Sequence, residues 1–236
     1  MCGRYTLSPK PSELLTLFSL VDTPELLPRF NIAPTQTVPV VRQRTQQEPS
    51  VGTSSQSPNQ LVLMRWGLVP RWAPSKGTKP LINARAETIH EKPSFKEAYQ
   101  QRRCLIPASG FFEWQKNGRQ KQPFYIGVEK WKPFAMAGIW EIWQQDDGQF
   151  ITSCAIITTD ANTLVQDLHN RMPVIIAPKD FQVWLEGNPT SGPPKELLAP
   201  FPNEQMQAVP VSNYVNSIKN EGPRCIKPAP LQQSLF

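Results

Sequence analysis

The sequence predicts an α+β protein: a single domain built on a strongly curved, barrel-like mixed or antiparallel β-sheet with a few short helices. Runs rich in β-branched and aromatic residues recur along the chain, which is typical of strands. The chain has 26 prolines and 12 glycines, and proline disfavours long helices because it fixes φ and removes a backbone donor. No internal repeat divides the chain.

The first third of the chain predicts one helix and a pair of strands. Residues 11–20 are amphipathic, and Ser12 is the expected N-cap. A proline-broken extended stretch over residues 30–41 ends in a strand, and residues 61–70 resume as a strand. The polar stretch 43–60 between them is expected to be a hairpin loop and not a domain boundary.

The remainder alternates strands with short helices. Three helices are expected over residues 93–101, 159–169 and 179–187. The second is expected to begin at Thr159 or Asp160, and the third to end at Gly187. Strands are expected in RCLIPASGFFEW, PFYIGV, FAMAGIWEIW, FITSCAIITTDA and MQAVPVSNYVNSI.

Composition limits the classes of function. No apolar run is long enough to span a membrane and no signal peptide is visible, so a cytoplasmic location associated with the nucleoid is expected. The four cysteines lack the spacing of a zinc site, so free thiols and no metal or cofactor are expected. A net charge of +6 allows a polyanionic partner without requiring one.

A cysteine stands directly behind Met1. Removal of Met1 leaves Cys2 with a free α-amine and a thiol on neighbouring carbons. Such an amine, with a pKa of about 7.7–8.0, is partly neutral at pH 7 and forms a Schiff base with an aldehyde. The thiol can then close on the imine to give a thiazolidine. A small residue packed under the domain edge is the structural alternative.

Further polar residues lie in settings that suit chemistry. Glu113 has apolar neighbours in SGFFEWQ, where a carboxylate is costly unless it has a partner or an acid–base function. His169 and Arg171 in LHNRMPVII set a proton carrier beside an anion-binding group. Asn83 and Arg85 in LINARAE share one face if the stretch is extended, as a sugar–phosphate contact needs. The alternative for His169 is a core histidine whose hydrogen bonds are satisfied. The alternative for Asn83 and Arg85 is that they are ordinary surface residues.

Aromatic and basic residues alternate in MRWGLVPRWAP. If exposed, Trp66 and Trp72 offer stacking surfaces for unpaired bases, with Arg65 and Arg71 along the backbone. Packing in the core or in a turn is the alternative. His90, in the polar ETIHEKPSF, is expected at the surface.

Taken together in this order, the motifs resemble the SRAP (SOS-response-associated peptidase) family, whose members shield abasic sites. The motifs are MCGRY, FNIAP, WGLVPRWA, INARAET, CLIPASGFFEW, PFYI, MAGIWE, ITTDAN and HNRMPVI. The resemblance covers roughly residues 2–227 and implies one SRAP domain over residues 1–228 with a flexible tail over 229–236. The polar stretch 43–60 departs from the family pattern as a variant of loop length.

The resemblance implies that Cys2 attacks the ring-opened aldehyde of an abasic deoxyribose. It implies that Asn83 holds the lesion, that Glu113 orients the α-amine and assists proton transfers, and that His169 assists ring opening and reversal. It also implies removal of Met1, and the family's peptidase label suggests an autocatalytic removal. The Schiff-base stage is similar to that of a β-lyase, but thiazolidine closure diverts it from strand cleavage.

The resemblance also implies residues that bind DNA: Arg4, Pro34, Trp72, Arg85 and Arg171. The expected partner is single-stranded DNA that contains abasic sites, and the expected oligomeric state is a monomer.

The chain ends in QQSLF, close to the bacterial sliding-clamp-binding pattern, with Gln233 where leucine is usual. Such a tail binds by inserting Leu235 and Phe236 into an apolar pocket behind Gln232. A chance terminal match is the alternative.

Two other functions use the same residues. A thiol peptidase would take Cys2 as nucleophile, His169 as base, and Glu113 or Asn83 to orient the base. A non-covalent module for single-stranded nucleic acid would use the tryptophans and arginines alone.

Overall fold

The computed structural model describes residues 2–44, 57–74, 77–118, 120–186 and 192–229, in which thirteen strands and four α-helices are present. The strands are β1 Tyr5–Leu7, β2 Arg29–Ile32, β3 Thr37–Gln43, β4 Asn59–Trp66, β5 Asn83–Arg85, β6 Arg103–Ala108, β7 Gly110–Asn117, β8 Gln120–Val128, β9 Phe134–Gln144, β10 Phe150–Asp160, β11 Arg171–Pro173, β12 Ile175–Ile176 and β13 Met206–Pro210. The helices are α1 Pro11–Phe18, α2 Lys96–Gln101, α3 Thr163–Gln166 and α4 Phe181–Glu186. Short 3₁₀ turns cover Glu129–Trp131, Pro178–Asp180, Lys195–Leu198, Asn203–Gln205, Asn213–Asn216 and Pro223–Ile226.

A closed β-barrel lies at the centre of the fold. Five strands follow one another in the order β10, β4, β3, β6 and β9, and pairing between β9 and β10 closes the ring. The β4–β10 pair is parallel, whereas the other pairs of the ring are antiparallel, so the barrel is mixed. The predicted α+β class and the barrel-like sheet are thus confirmed.

The long strand β10 changes partners along its length and thereby brings distant segments together. Its first part pairs with β9, and Ile156 to Thr158 pair in parallel with β5. Its last three residues pair with β11, with Asp160 opposite Arg171. Consequently β5 and β11, which contain several predicted site residues, both pair with β10 of the barrel.

A second sheet covers one side of the barrel, with strand order β13, β8, β7, β1 and β2. Only Ser109 separates β6 of the barrel from β7 of this sheet, so the chain passes directly between the two. The Ser109 N–H donates to the Thr6 carbonyl oxygen at 2.8 Å, which holds β1 at this junction. The amino end of the chain is therefore fixed between the sheet and the barrel.

The core fills the barrel and the space beneath the second sheet. Trp66 is fully buried, packs edge-on against Tyr5 with ring centroids 5.4 Å apart, and donates its indole N–H to the Ile82 carbonyl oxygen at 2.9 Å. Trp66 is therefore a core residue and not an exposed stacking surface. All four cysteine side chains are buried and free of disulfides.

Several helix starts differ from the prediction: α2 begins at Lys96 and not at residue 93, and α4 begins at Phe181, behind the 3₁₀ turn Pro178–Asp180. Lys10, and not Ser12, is the N-cap of α1, because Pro11 suits the first helical position and the Glu13 carboxylate accepts the Lys10 N–H at 2.7 Å. The expected start of the second helix at Thr159 or Asp160 is also wrong, because both residues pair with β11. Helix α3 begins later, behind Asn162, whose side chain accepts the Val165 N–H at 3.0 Å.

The polar stretch 43–60 joins two antiparallel neighbours, since Gln43 lies opposite Asn59, which confirms the expected hairpin. Most of that stretch, Gly187 and the tail with Gln232, Leu235 and Phe236 lie outside the described residues. Within the described ranges, no helix has the length and apolarity needed to cross a membrane.

Gly110 offers a test of the junction between the two sheets. A Cβ atom at this position would overlap the Tyr125 ring, whose hydroxyl lies 2.8 Å from that of Thr6 on β1. We expect Gly110→Ala to lower the free energy of unfolding by about 1–3 kcal/mol, as overpacking does. Urea denaturation measures this, and Tyr125→Leu in the same chain should recover part of the loss. Unchanged stability of Gly110→Ala would contradict the packing described.

Candidate active site

Cys2 is fully buried although it lies one residue from the end of the chain. The segment before β1 continues alongside β7, where Tyr5 pairs with Phe111 and the Phe112 N–H donates to the Arg4 carbonyl oxygen at 2.9 Å. Antiparallel continuation of this register sets Gly3 opposite Glu113. The Glu113 charge acts on the Cys2 thiol, which shows that the two groups lie close together.

Asn83 fixes Cys2 from the barrel side. Its Nδ2 donates to the Cys2 carbonyl oxygen at 3.0 Å. Asn83 itself is positioned by the parallel pairing of β5 with β10, opposite Ile156. In the described part of the chain its Oδ1 is buried and accepts no hydrogen bond, which leaves an acceptor that a substrate hydroxyl or amine can use.

Glu113 lies on β7 and is 3% exposed. Burial raises its pKa from 4.5 to about 7, and the positive amino terminus acts in the opposite direction. Burial, and then the nearby Glu113 charge, also raise the pKa of the Cys2 thiol. At neutral pH the carboxyl group can therefore both accept and donate a proton, while the thiol remains protonated.

His169 follows α3 and faces the same amino end. Its Nδ1 accepts the backbone N–H of Arg171 at 2.9 Å, so in the neutral ring the proton is on Nε2. Burial lowers the pKa of His169, and the positive charges of the amino terminus, Lys116 and Arg171 lower it further. The imidazole is therefore neutral at pH 7. Gln115 links this loop to β7 through a 3.5 Å hydrogen bond to the Asp167 carbonyl oxygen.

Arg171 is almost completely enclosed by partners within the protein. Its Nη1 donates to Glu87 at 2.8 Å and to Asp160 at 2.7 Å, and its Nη2 donates to Glu87 at 2.9 Å and to the Thr158 carbonyl oxygen at 2.6 Å. Its side chain is 10% exposed. The structure thus pairs a nearly buried arginine, directly beside His169, with two carboxylates that are themselves exposed.

The other residues predicted to bind DNA lie in different settings. Arg85 ends β5 and is exposed, and Trp72 is 62% exposed in a turn. Pro34 is half-buried in the turn that leads to β3. Arg4 is half-buried, and its Nη1 donates to Asn31 Oδ1 at 2.6 Å and to the Val215 carbonyl oxygen at 2.9 Å.

Comparison with known proteins identifies the family of the chain. A family model described as SOS response associated peptidase (SRAP) matches residues 1–218. The chain belongs to the SRAP family. It is 37% identical over 236 residues to a Bacillus subtilis protein named abasic site processing protein YoqW, covering 96% of this chain and 99% of that one.

This SRAP chain is also similar to a mammalian protein and to a solved bacterial structure. It is 31% identical to the mouse (Mus musculus) protein named abasic site processing protein HMCES, over 98% of this chain and 77% of that protein. A crystal structure of a Bacteroides thetaiotaomicron protein superimposes with a TM-score of 0.79 at 29% identity, covering 97% of this chain and 100% of that one. The fold of the chain is therefore shared with that solved structure.

Three residues with clear positions in this SRAP domain had no role in the sequence analysis. Asn31 Nδ2 donates to the carbonyl oxygens of residues 215, 217 and 220 and thereby holds the carboxyl-terminal segment against Arg4. Glu87 binds Arg171 through both carboxylate oxygens, and Lys116 acts on His169 by its charge. Asn31 and Glu87 do lie within the quoted motifs FNIAP and INARAET, which is the signal that points to them.

In the described residues, no group of three or more His, Cys, Asp and Glu side chains is arranged to hold a metal ion. The polar groups of the candidate site are the Cys2 thiol, the Asn83 amide, the Glu113 carboxyl group and the His169 imidazole.

Burial of Glu113 makes stability depend on pH. Between its ordinary pKa of 4.5 and its folded pKa of about 7, the folded state holds a proton that the unfolded state has lost. The free energy of unfolding therefore falls as pH rises through this window, by up to roughly 3 kcal/mol. Glu113→Gln should lose this slope and become relatively more stable above pH 7. Chemical denaturation at several pH values measures it, and parallel profiles of the two proteins would contradict the assigned burial cost.

Proposed function

We propose that this protein processes abasic sites by forming a covalent thiazolidine between Cys2 and the abasic deoxyribose in single-stranded DNA. The link forms after Met1 is removed and shields the lesion during replication. Relatives of 31–37% identity are named abasic site processing proteins. The single observation that carries the proposal is the placement of Cys2, whose carbonyl oxygen is held by Asn83 beside a glutamate with a pKa of about 7.

The residue type explains why the site is built around the amino end. Only an amino-terminal cysteine combines an α-amine and a thiol on adjacent carbons. Burial of Cys2 between β7 and β5 orders both groups before substrate arrives, which reduces the entropy lost in the reaction. A frayed end would not provide this order.

The bond changes balance without a co-reactant. The neutral Cys2 amine adds to the C1′ aldehyde, and the resulting carbinolamine loses one water to give an imine. The thiol then adds across the C=N bond: sulfur bonds to C1′ and the thiol proton passes to nitrogen. The sum is protein plus aldehyde giving thiazolidine plus one water.

Glu113 and His169 supply the proton transfers. A carboxyl group with a pKa of about 7 can remove a proton from the α-ammonium group and return it to the hydroxyl that leaves as water. The neutral His169 ring, with its proton on Nε2, donates to the sugar ring oxygen as the furanose opens. Asn83 Oδ1 is available to accept a hydrogen bond from the sugar.

Two exposed groups suit a single strand. Arg85 is exposed at the end of the strand that contains Asn83, so we assign it the flanking phosphate. The exposed Trp72 ring offers a stacking surface for a base. The DNA roles of Arg4, Pro34 and Arg171 and the clamp-binding tail remain predictions from the sequence.

A thiol peptidase acting on other proteins is less well supported. Such an enzyme needs a thiolate, and burial together with Glu113 raises the pKa of the Cys2 thiol. Removal of the protein's own Met1 is a separate step, which the crosslinking proposal requires.

The test is the formation of an adduct that resists denaturant. Purified protein is mixed with single-stranded DNA containing one abasic site and run on a denaturing gel. We expect a shifted band with the wild type, none with Cys2→Ala, and none with a chain that keeps one residue before Cys2. Cys2→Ser keeps the amine but lacks the thiol, so its imine should hydrolyse during the run. Retained binding of Cys2→Ala in a native gel shows that the variant is folded, and a stable adduct with Cys2→Ala would overturn the proposal.

A further inference from the structure

The Arg171 guanidinium has no terminal N–H left for a ligand. Each terminal nitrogen has two N–H groups, and the four hydrogen bonds to Glu87, Asp160 and the Thr158 carbonyl oxygen use all of them. The remaining donor, Nε, is buried and has no hydrogen bond within the described ranges. A bidentate phosphate contact would require several of these bonds to break.

The charges around Arg171 also disfavour an anion. Two carboxylates, those of Glu87 and Asp160, lie within 2.9 Å of the guanidinium, so its positive charge is already paired within the protein. The same partners hold the Arg171 side chain from two different segments, the end of β10 and the turn after β5. This arrangement fixes the arginine in place.

Arg171 also contacts the His169 imidazole, through its backbone. The backbone N–H of Arg171 donates to His169 Nδ1 at 2.9 Å, and Arg171 lies opposite Asp160 in the β10–β11 ladder. The orientation of the ring therefore depends on where the Arg171 backbone is held. Glu87 follows Asn83 by four residues, so one short segment binds both the Cys2 carbonyl oxygen and the Arg171 side chain.

We propose that Glu87 is a positioning residue, which acts through Arg171 to hold the His169 ring in its orientation and in the tautomer with the proton on Nε2. Its consequence for the rate of crosslinking rests on the function proposed above. The effect on the ring does not, because it exists in the protein without DNA.

Nuclear magnetic resonance of the free protein tests the ring directly, because the chain contains only two histidines. In the wild type, the ¹⁵N shifts of His169 should show a single tautomer with the proton on Nε2. In Glu87→Gln, which keeps the size of the side chain but loses its charge, they should move toward a mixture of tautomers while His90 stays unchanged.

Glu91→Gln is the matched control. It removes the same charge four residues along the chain, where the Glu91 carboxylate lies 3.4 Å from His90 Nε2. We expect this change to move the His90 signals only. An unaltered His169 tautomer in Glu87→Gln would overturn the positioning role.

Kinetics then separates positioning from phosphate binding. At saturating abasic DNA, the rate of adduct formation in Glu87→Gln should fall on the order of 10- to 100-fold, as small misplacements of catalytic groups do, with the half-saturating DNA concentration unchanged. Glu91→Gln should react at the wild-type rate. Glu87→Asp keeps the charge on a shorter side chain and should recover part of the rate; it also serves if the glutamine variant fails to fold.

A different pair of results would show that Arg171 binds a DNA phosphate. If Arg171 binds DNA once released from Glu87, Glu87→Gln should keep its rate and steepen the dependence of log affinity on log salt by about 0.7, the value for one phosphate of a single strand. Arg85→Ala serves as the calibration, because loss of its phosphate contact should make the same slope shallower by about 0.7. A wild type that forms no adduct fails the proposed function, while the tautomer measurement still decides the role of Glu87.

Discussion

The hydrogen bond from Asn83 Nδ2 to the Cys2 carbonyl oxygen ties the amino end of the chain to the barrel. It requires β5 to lie in parallel on β10, and it requires β1 to pair with β7 so that Cys2 reaches Asn83. Both conditions depend on the closed ring of strands and on the direct passage from β6 to β7. Chain ends are ordinarily the least ordered parts of a protein, yet Cys2, the second residue, is fully buried.

Burial also sets the protonation states of the site. It raises the pKa of Glu113 to about 7, raises that of the Cys2 thiol and lowers that of His169. Each shift favours the neutral form of the group, because the low-dielectric surroundings penalise charge. Of these groups, Glu113 is half-protonated near pH 7 and can exchange a proton at little cost, which is what imine formation needs.

Much of this arrangement is visible in the sequence, for reasons that are local. The β-branched and aromatic runs predict the strands, and the extended segment that would set Asn83 and Arg85 on one face is present as β5. The cost of a carboxylate among apolar neighbours correctly predicts that Glu113 is unusual. These inferences use only nearby residues and the preferences of the backbone.

The features that the sequence did not predict depend on residues that are far apart along the chain. Arg171 binds Glu87, 84 positions away, and no spacing rule predicts that its N–H groups are used inside the protein. The start of α3 was misplaced because Thr159 and Asp160 are capping residues by type but are drawn into β10 by their pairing with β11. Asn31 binds three carbonyl groups of a segment that is distant in sequence, which only the fold brings near.

The most direct measurement is the intact mass of the protein–DNA adduct, followed by fragmentation to locate the linkage. The account predicts the mass of the protein without Met1 plus that of the abasic strand minus one water, with the link on the amino-terminal cysteine. A linkage on any other residue, or an adduct in which Met1 is still present, would contradict it.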